Sequence, residues 1–158
     1  MFEYPAVGFH FSVAFELFPQ IQSDFCFQEV NGLEVEMEME SFVEGGQNRF
    51  TWQLPKRTRY SDLTLKRGMF VGSGIVDWCR NALENFIFDP VNINISLLNE
   101  QHIPLHSWYV VNAIPKKWSI SNFNAQESSI VIESITLSYQ FFSVISLESF
   151  ASGGTIAK

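Results

Sequence analysis

The sequence from Phe9 to Leu17 reads FHFSVAFEL, and a large apolar residue occupies every second position of it. Successive side chains of a β-strand point to opposite faces, so this alternation predicts a strand with one buried face and one polar face. Pro19 and Gln20 follow and end the pattern. The fold is therefore expected to rest on strands whose buried faces are rich in phenylalanine.

The same two-residue period continues along most of the chain. It is found over residues 34–41 and 91–97, residues 107–113 form an aromatic and β-branched run, and alternation returns over residues 130–141. Pro115 is expected to end the third of these segments. In the last segment the apolar parity changes near Glu133 and Ser134, which predicts a β-bulge that restores one continuous buried face.

Residues 73–87 are the one segment with a convincing helical pattern. Apolar residues recur there at intervals of three and four, at Ile75, Val76, Cys79, Ala82, Leu83 and Phe86. Ser73 is predicted to cap the N-terminus, and Pro90 ends the segment. About seven strands, one helix and no alternation of strands with helices predict a mainly β fold, an antiparallel barrel or sandwich with one flanking helix.

Length and composition favour a single domain over residues 1–148 with a flexible tail over 149–158. The chain has 158 residues, of which 46% are hydrophobic and 17% charged, a composition that argues against disorder. Residues 1–20 lack the pattern of a signal peptide, and no apolar run is long enough for a membrane-spanning helix. Cys26 and Cys79 are expected to be buried free thiols of a cytosolic protein.

The net charge of −7 is unevenly distributed along the chain. Residues 1–48 contain nine acidic residues and no Lys or Arg, and an overall acidic chain is a poor general binder of nucleic acid. Four of these acids alternate along one predicted strand: Glu34, Glu36, Glu38 and Glu40. They form either a solvated face or an acidic wall that lines a lumen or meets a basic partner.

Residues 49–67 carry the opposite charge. Their six bases are Arg49, Lys56, Arg57, Arg59, Lys66 and Arg67, and Asp62 is the one acid among them. Short strand-like pieces at 50–54 and 63–65, separated by Pro55, predict an extended arm over residues 44–68. Aromatic residues between the bases leave nucleic-acid binding open, but an arm that docks on an acidic neighbour, such as a second copy of the chain, explains the charge better.

The motifs that carry chemistry are absent or incomplete. Gly72-Ser73-Gly74 lacks the third glycine of a dinucleotide loop, and Pro104 between His102 and His106 disfavours a shared helical face for a metal. The four glutamates are equivalent, unlike the differently tuned pair of a glycosidase. The sequence predicts no catalytic, cofactor or metal site, and a protein that is not an enzyme.

Several motifs, taken in order, resemble one family. They are GFHF at 8–11, FQEVNGL at 27–33, EGGQNR at 44–49, LPKR at 54–57, LTLKRG at 63–68, LLNE at 97–100 and NAIP at 112–115. Trp78, Trp108 and Trp118 fall between or after them. The series is similar to the tail tube proteins of contractile phage tails and related injection systems, over about residues 5–142.

The resemblance implies a β-barrel like that of the Hcp tube protein, with one flanking helix and a long loop or hairpin between subunits. It implies hexameric rings stacked into a tube inside a sheath on a baseplate, with cargo or DNA passing through the lumen unbound. Such a protein would be made in the bacterial cytoplasm and end in the assembled particle, without a membrane partner. The Phe-rich stretch 9–18 and the tail 143–158 leave open a specialised first ring at the baseplate, and a monomeric barrel that binds an apolar small ligand is the alternative.

Overall fold

The computed structural model describes residues 10–16, 27–46, 49–69 and 72–146. Ten elements occur in this part of the chain. They are β1 (Phe11–Phe15), β2 (Glu29–Asn31), β3 (Val35–Phe42), β4 (Trp52–Tyr60), β5 (Leu63–Gly68), α1 (Gly74–Glu84), β6 (Val91–Leu98), β7 (Pro104–Ile120), β8 (Ile132–Ser138) and β9 (Phe141–Ser146). The fold is mainly β, antiparallel and flanked by one helix in the described residues, as predicted.

The long strand β7 joins two layers of one seven-stranded sheet. Its first half pairs with β6 on one side and β9 on the other, and its last part pairs with β8. The layers are therefore β1-β6-β7-β9 and β7-β8-β5-β2. At the crossover Asn112 has φ 52°, its backbone N–H donates to Asn92 Oδ1 at 3.0 Å, and its side-chain amide donates to Gln140 Oε1 at 3.0 Å.

The inner faces of both layers share one core. The first layer contributes Val13, Ile93 and Val110, each 0% exposed, and the second contributes Leu63, Leu65, Ile135 and Leu137, also 0% exposed. Within the described residues, however, β1 and β2 end the sheet and do not pair with each other. The described part of the sheet is therefore not closed into the expected barrel, and β2 contributes only three residues to its edge.

Helix α1 lies against β7 and closes one side of this core. The Ser73 hydroxyl oxygen accepts a hydrogen bond from the Ile75 backbone N–H at 3.3 Å, which confirms the predicted N-cap. Ile75, Trp78, Cys79 and Ala82 form its buried face. Burial, followed by the charge of Glu133, raises the pKa of the Cys79 thiol to about 12, so it stays protonated and inert. Cys26 lies outside the described residues.

Two prolines lie inside strands, contrary to expectation. β4 continues through Pro55, beside a register shift that adds one residue to β4. Proline has no backbone N–H to donate, and it is tolerated at such a bulge because the regular hydrogen-bond ladder is interrupted there. β7 continues through Pro115 in the same way, beside a shift between Pro115 and Lys117. The bulge expected near Glu133 is absent, since β5 and β8 pair without interruption and Glu133 itself points into the core.

Candidate assembly interface

β3 and β4 form a two-stranded sheet of their own, outside the seven-stranded sheet. Their antiparallel pairing runs from Val35 opposite Tyr60 to Phe42 opposite Trp52. We call residues 35–60 the hairpin arm. Its boundaries differ from the expected 44–68, because β3 belongs to the arm whereas β5 lies in the main sheet.

The base of the hairpin arm is held by aromatic contacts and one glycine. The Tyr60 ring lies 5.1 Å from that of Phe142 and 6.0 Å from that of Tyr139, centroid to centroid. The Tyr139 hydroxyl donates to the Gly32 carbonyl oxygen at 3.3 Å. Gly32 has φ 100°, and a Cβ there would lie 1.9 Å from the Asp62 carbonyl oxygen, so only glycine fits.

One face of the hairpin arm carries acidic residues on β3 and basic residues on β4. Glu36 lies opposite Arg59, and the Arg57 Nε–H donates to Glu38 Oε2 at 2.9 Å. The hydrogen bond from Arg57, with the nearby charges of Arg57, Lys56 and Arg59, holds the pKa of the Glu38 carboxyl below its usual value of 4.5. The acidic strand and the basic segment, separate features in the sequence, are thus partners across one hairpin.

The remaining charged residues of this region lie in exposed positions. Glu40 lies opposite Leu54 in the register, and Arg49 and Lys56 are exposed. The Glu34 backbone carbonyl accepts from Ser61 N–H at 3.2 Å, just before β3 begins. Glu40 and Lys56 are therefore exposed where a partner surface could contact them.

The opposite face of the arm is apolar and exposed. Val35, Met37 and Met39 alternate with the glutamates, and each is about half accessible to solvent. Further exposed apolar residues gather near the tip: Phe42, Val43, Phe50, Trp52 and Leu54. Of these, Phe42, Trp52 and Leu54 share a face with the glutamates in the register, so at the tip both faces expose apolar side chains. The Phe50 and Trp52 rings meet edge to face at 5.1 Å. Alternation predicted that this face of β3 is buried. The pattern does not indicate that the core of the same subunit leaves this face exposed.

An arm of this kind is poorly suited to stand alone in water. A two-stranded hairpin is marginally stable by itself, and a large exposed apolar patch marks an interaction site. Aromatic residues and methionine are also the types enriched at protein interfaces. The hairpin arm therefore has the composition and geometry of a protein-docking surface.

Two of the predicted interface residues lie in the main sheet. Lys66 projects from β5 on the outer face, where its ammonium group lies 3.2 Å from both carboxylate oxygens of Glu29. Arg67, the next residue, is 0% exposed. The expectation that Arg67 lies at the surface is corrected, because its side chain points to the inner face and pairs within the fold.

Arg67 belongs to a buried polar network. Its Nε–H donates to Glu133 Oε2 at 2.9 Å, and a terminal N–H donates to the Ser73 hydroxyl at 2.6 Å. The Trp118 indole N–H donates to the other Glu133 oxygen at 2.6 Å. The guanidinium also lies 5.3 Å from the centre of the Phe27 ring. One ion pair thus ties β5, β7, β8 and the start of α1 together.

A cleft remains between the unpaired edges of the two layers. Its volume is about 280 Å³, and it is lined by Phe11, Gln28, Glu29, Val30, Leu33, Ile95, Leu97 and Trp108. Most of this lining is apolar, and an apolar cleft of this kind bears on the small-ligand alternative. Among the described residues no group of three or more His, Cys, Asp or Glu is placed to hold a metal, and no helix is long and apolar enough to cross a membrane.

Comparison with known families shows which family the chain belongs to. A family model for the T4-like virus tail tube protein gp19 matches residues 7–143, which is most of the chain. The chain belongs to this tail tube family. A comparison with curated proteins finds no match for it.

Solved structures of injection particles resemble this tail tube protein over almost its whole length. A chain of the anti-feeding prophage baseplate is 26% identical, with TM-score 0.83 over 93% of this chain and 99% of that one. A chain of the sheath–tube complex of the PVC extracellular contractile injection system is also 26% identical, with TM-score 0.75 over 91% and 93%. Hcp1 from Flavobacterium johnsoniae shares the fold, at 13% identity and TM-score 0.58 over 86% and 94%.

Proposed function

We propose that copies of this tail tube protein form hexameric rings that stack into the inner tube of a contractile injection system. The observation that carries the proposal is the family match over residues 7–143, joined to a hairpin arm whose apolar face has no cover in the described fold. Heterologous contacts close into rings, and an axial contact that repeats then stacks the rings. The hairpin arm supplies such a contact with a neighbouring copy.

The same role accounts for the distribution of charge. The charged residues of β3 lie on the face opposite Val35, Met37 and Met39, so docking of the apolar face removes few charges from water. Glu40, Arg49 and Lys56 then fix orientation at the rim more than they add affinity. A structural subunit needs no catalytic centre, and we propose that the chain has no enzymatic activity.

The sheath and the baseplate are the partners that this role requires. The similar chains come from a baseplate and from a sheath–tube complex, which supports both contacts. We propose synthesis in the bacterial cytoplasm, assembly into the particle, and passage of cargo or DNA through the lumen without specific binding.

Native mass and electron microscopy of the purified chain test the proposal directly. Light scattering after size exclusion should give a particle of six copies, each of 18.1 kDa, and micrographs should show rings and short tubes. A strict monomer at high concentration, with no rings even beside its sheath and baseplate proteins, contradicts the proposal.

A ring at the baseplate is a second candidate within the same role. The similarity to a baseplate chain, at TM-score 0.83, exceeds that to the sheath–tube chain, at 0.75. An initiating ring should bind isolated baseplates and nucleate tubes there at low concentration. If the protein instead forms long tubes alone and never caps a baseplate, it is the repeated subunit.

The cleft between the two layers favours one further candidate, a monomer that binds an apolar small molecule. Native mass spectrometry distinguishes it, since a ligand of constant mass should then accompany the monomer. A ligand-free hexamer excludes this alternative.

A further inference from the structure

Three cross-strand pairs line the inner face between β5 and β8. They are Leu63 with Leu137, Leu65 with Ile135, and Arg67 with Glu133. All six side chains are 0% exposed. Two pairs are apolar and nearly interchangeable in shape, whereas the third is a buried ion pair.

The apolar pairs alone do not select one register. A slip of one residue would turn every core side chain outward, so the hydrophobic pattern excludes it. A slip of two residues leaves every side chain on the same face of the sheet. In one direction Leu65 moves opposite Leu137, and in the other Leu63 moves opposite Ile135. Both alternatives still bury leucine against leucine or isoleucine.

The charged pair does distinguish these registers. In one slip Arg67 would face Ile135, and in the other Glu133 would face Leu65, each leaving a buried charge without its partner. A buried charge without its partner is strongly destabilising, and the best-attested use of buried polar groups is to specify register.

We propose that the Arg67–Glu133 pair sets the register of β5 on β8 and thereby the position of the hairpin arm. β5 follows the arm after only two residues, Ser61 and Asp62. A two-residue slip would move the base of the arm by about 7 Å, the rise of two strand residues. The consequence for the arm rests on the proposed tube function, but the register itself does not.

Paired cysteines on the outer face of the two strands report the register. Thr64 lies opposite Thr136 in the native pairing. The two slips would bring Thr64 opposite Ser134 or Ser138 instead. Thr64→Cys is therefore combined with Thr136→Cys, Ser134→Cys or Ser138→Cys, and each protein is oxidised briefly and analysed by peptide mapping, which identifies the linked residues and separates them from Cys26 and Cys79.

The Arg67–Glu133 pair is then replaced by apolar side chains of similar volume in the double variant Arg67→Met with Glu133→Leu. When Arg67 and Glu133 are present, the yield of the disulfide between positions 64 and 136 should exceed the yield between 64 and 134 or between 64 and 138 by about tenfold or more. In the apolar double variant this ratio of yields should fall to about threefold or less. An unchanged excess overturns the proposal, whether or not the chain assembles into rings.

A matched control and a milder variant keep the result interpretable. Lys66→Met with Glu29→Leu removes the neighbouring, partly exposed ion pair between β5 and β2, and should leave the excess of the native link unchanged. If the apolar double variant does not unfold cooperatively, Glu133→Gln is used, since it keeps the shape and removes the charge. Its slipped links should rise about tenfold, and links at the native ratio would again overturn the proposal.

Discussion

Two Arg–Glu ion pairs of the described residues lie in opposite surroundings. Arg57 and Glu38 of the hairpin arm meet at 2.9 Å with side chains 75% and 29% exposed, and Arg67 and Glu133 meet at 2.9 Å with both side chains fully buried. Exposed pairs contribute little, whereas breaking a buried pair leaves an uncompensated charge in the core. The same two side-chain types should therefore contribute little to stability in the arm, whereas loss of either one in the sheet should be strongly destabilising.

The largest expected effect comes from breaking the buried pair. Arg67→Met should lower the free energy of unfolding of the isolated subunit by about 3–5 kcal/mol, because the Glu133 carboxylate keeps its burial and loses its counter-charge. Urea denaturation measures it. The adjacent Lys66→Met should cost no more than about 1 kcal/mol, and equal effects of the two variants would erase the contrast.

Ser73→Ala should have a smaller effect of the same kind. It removes the cap of α1 and the acceptor for the Arg67 guanidinium, so we expect a loss of about 1–2 kcal/mol by the same measurement. Ser129→Ala, in an exposed connection, is the control and should be neutral. A neutral result for Ser73→Ala would mean that water replaces both contacts.

The tip of the arm should behave in the opposite way. Phe42→Ser with Trp52→Ser should change the unfolding free energy of the isolated subunit by about 0.5 kcal/mol or less per substitution, since both rings are half exposed. Assembly should be lost, as measured by sedimentation velocity. Phe123→Ser removes a more exposed ring outside the arm and should assemble normally; a fully assembling tip variant would exclude the tip from the interface.

The smallest effect concerns pH and the exposed pair. Because the pKa of Glu38 is lowered in the folded state, any stabilisation from its pairing is present above about pH 4.5 and is lost as pH falls through the lowered pKa. Arg57→Ala should return the Glu38 pKa to its ordinary range without a detectable change in stability at pH 7. Carboxyl-detected NMR titration measures the shift, and an unaltered pKa would show that Arg57 is not its cause.

Local patterns predicted much of this fold. Alternation located β1, β3 and β6, helical spacing located α1, and Ser73 was recognisable as its cap. The failures have one physical origin, namely partners distant in sequence. Glu133 interrupts an apolar parity because Arg67, 66 residues earlier, neutralises it. Pro55 and Pro115 remain within strands because register shifts accommodate them.

The candidate interface was only partly predictable for the same reason. The acidic and basic segments were visible, but their pairing in one hairpin depends on a register that composition does not encode. The apolar face of β3 looked like core because alternation reports burial without saying whose surface provides it. The family motifs led to the prediction that a second copy of the chain provides that surface.

The central claim is that the seven-stranded sheet is stable by itself, whereas the hairpin arm is stabilised by a neighbouring subunit. Hydrogen exchange of the protein before and after assembly tests this claim most directly. Amides of β5 and β8 should be protected in both states, whereas amides of β3 and β4 should gain about a hundredfold protection on assembly. An arm that is equally protected in the isolated subunit and in the tube would contradict the account.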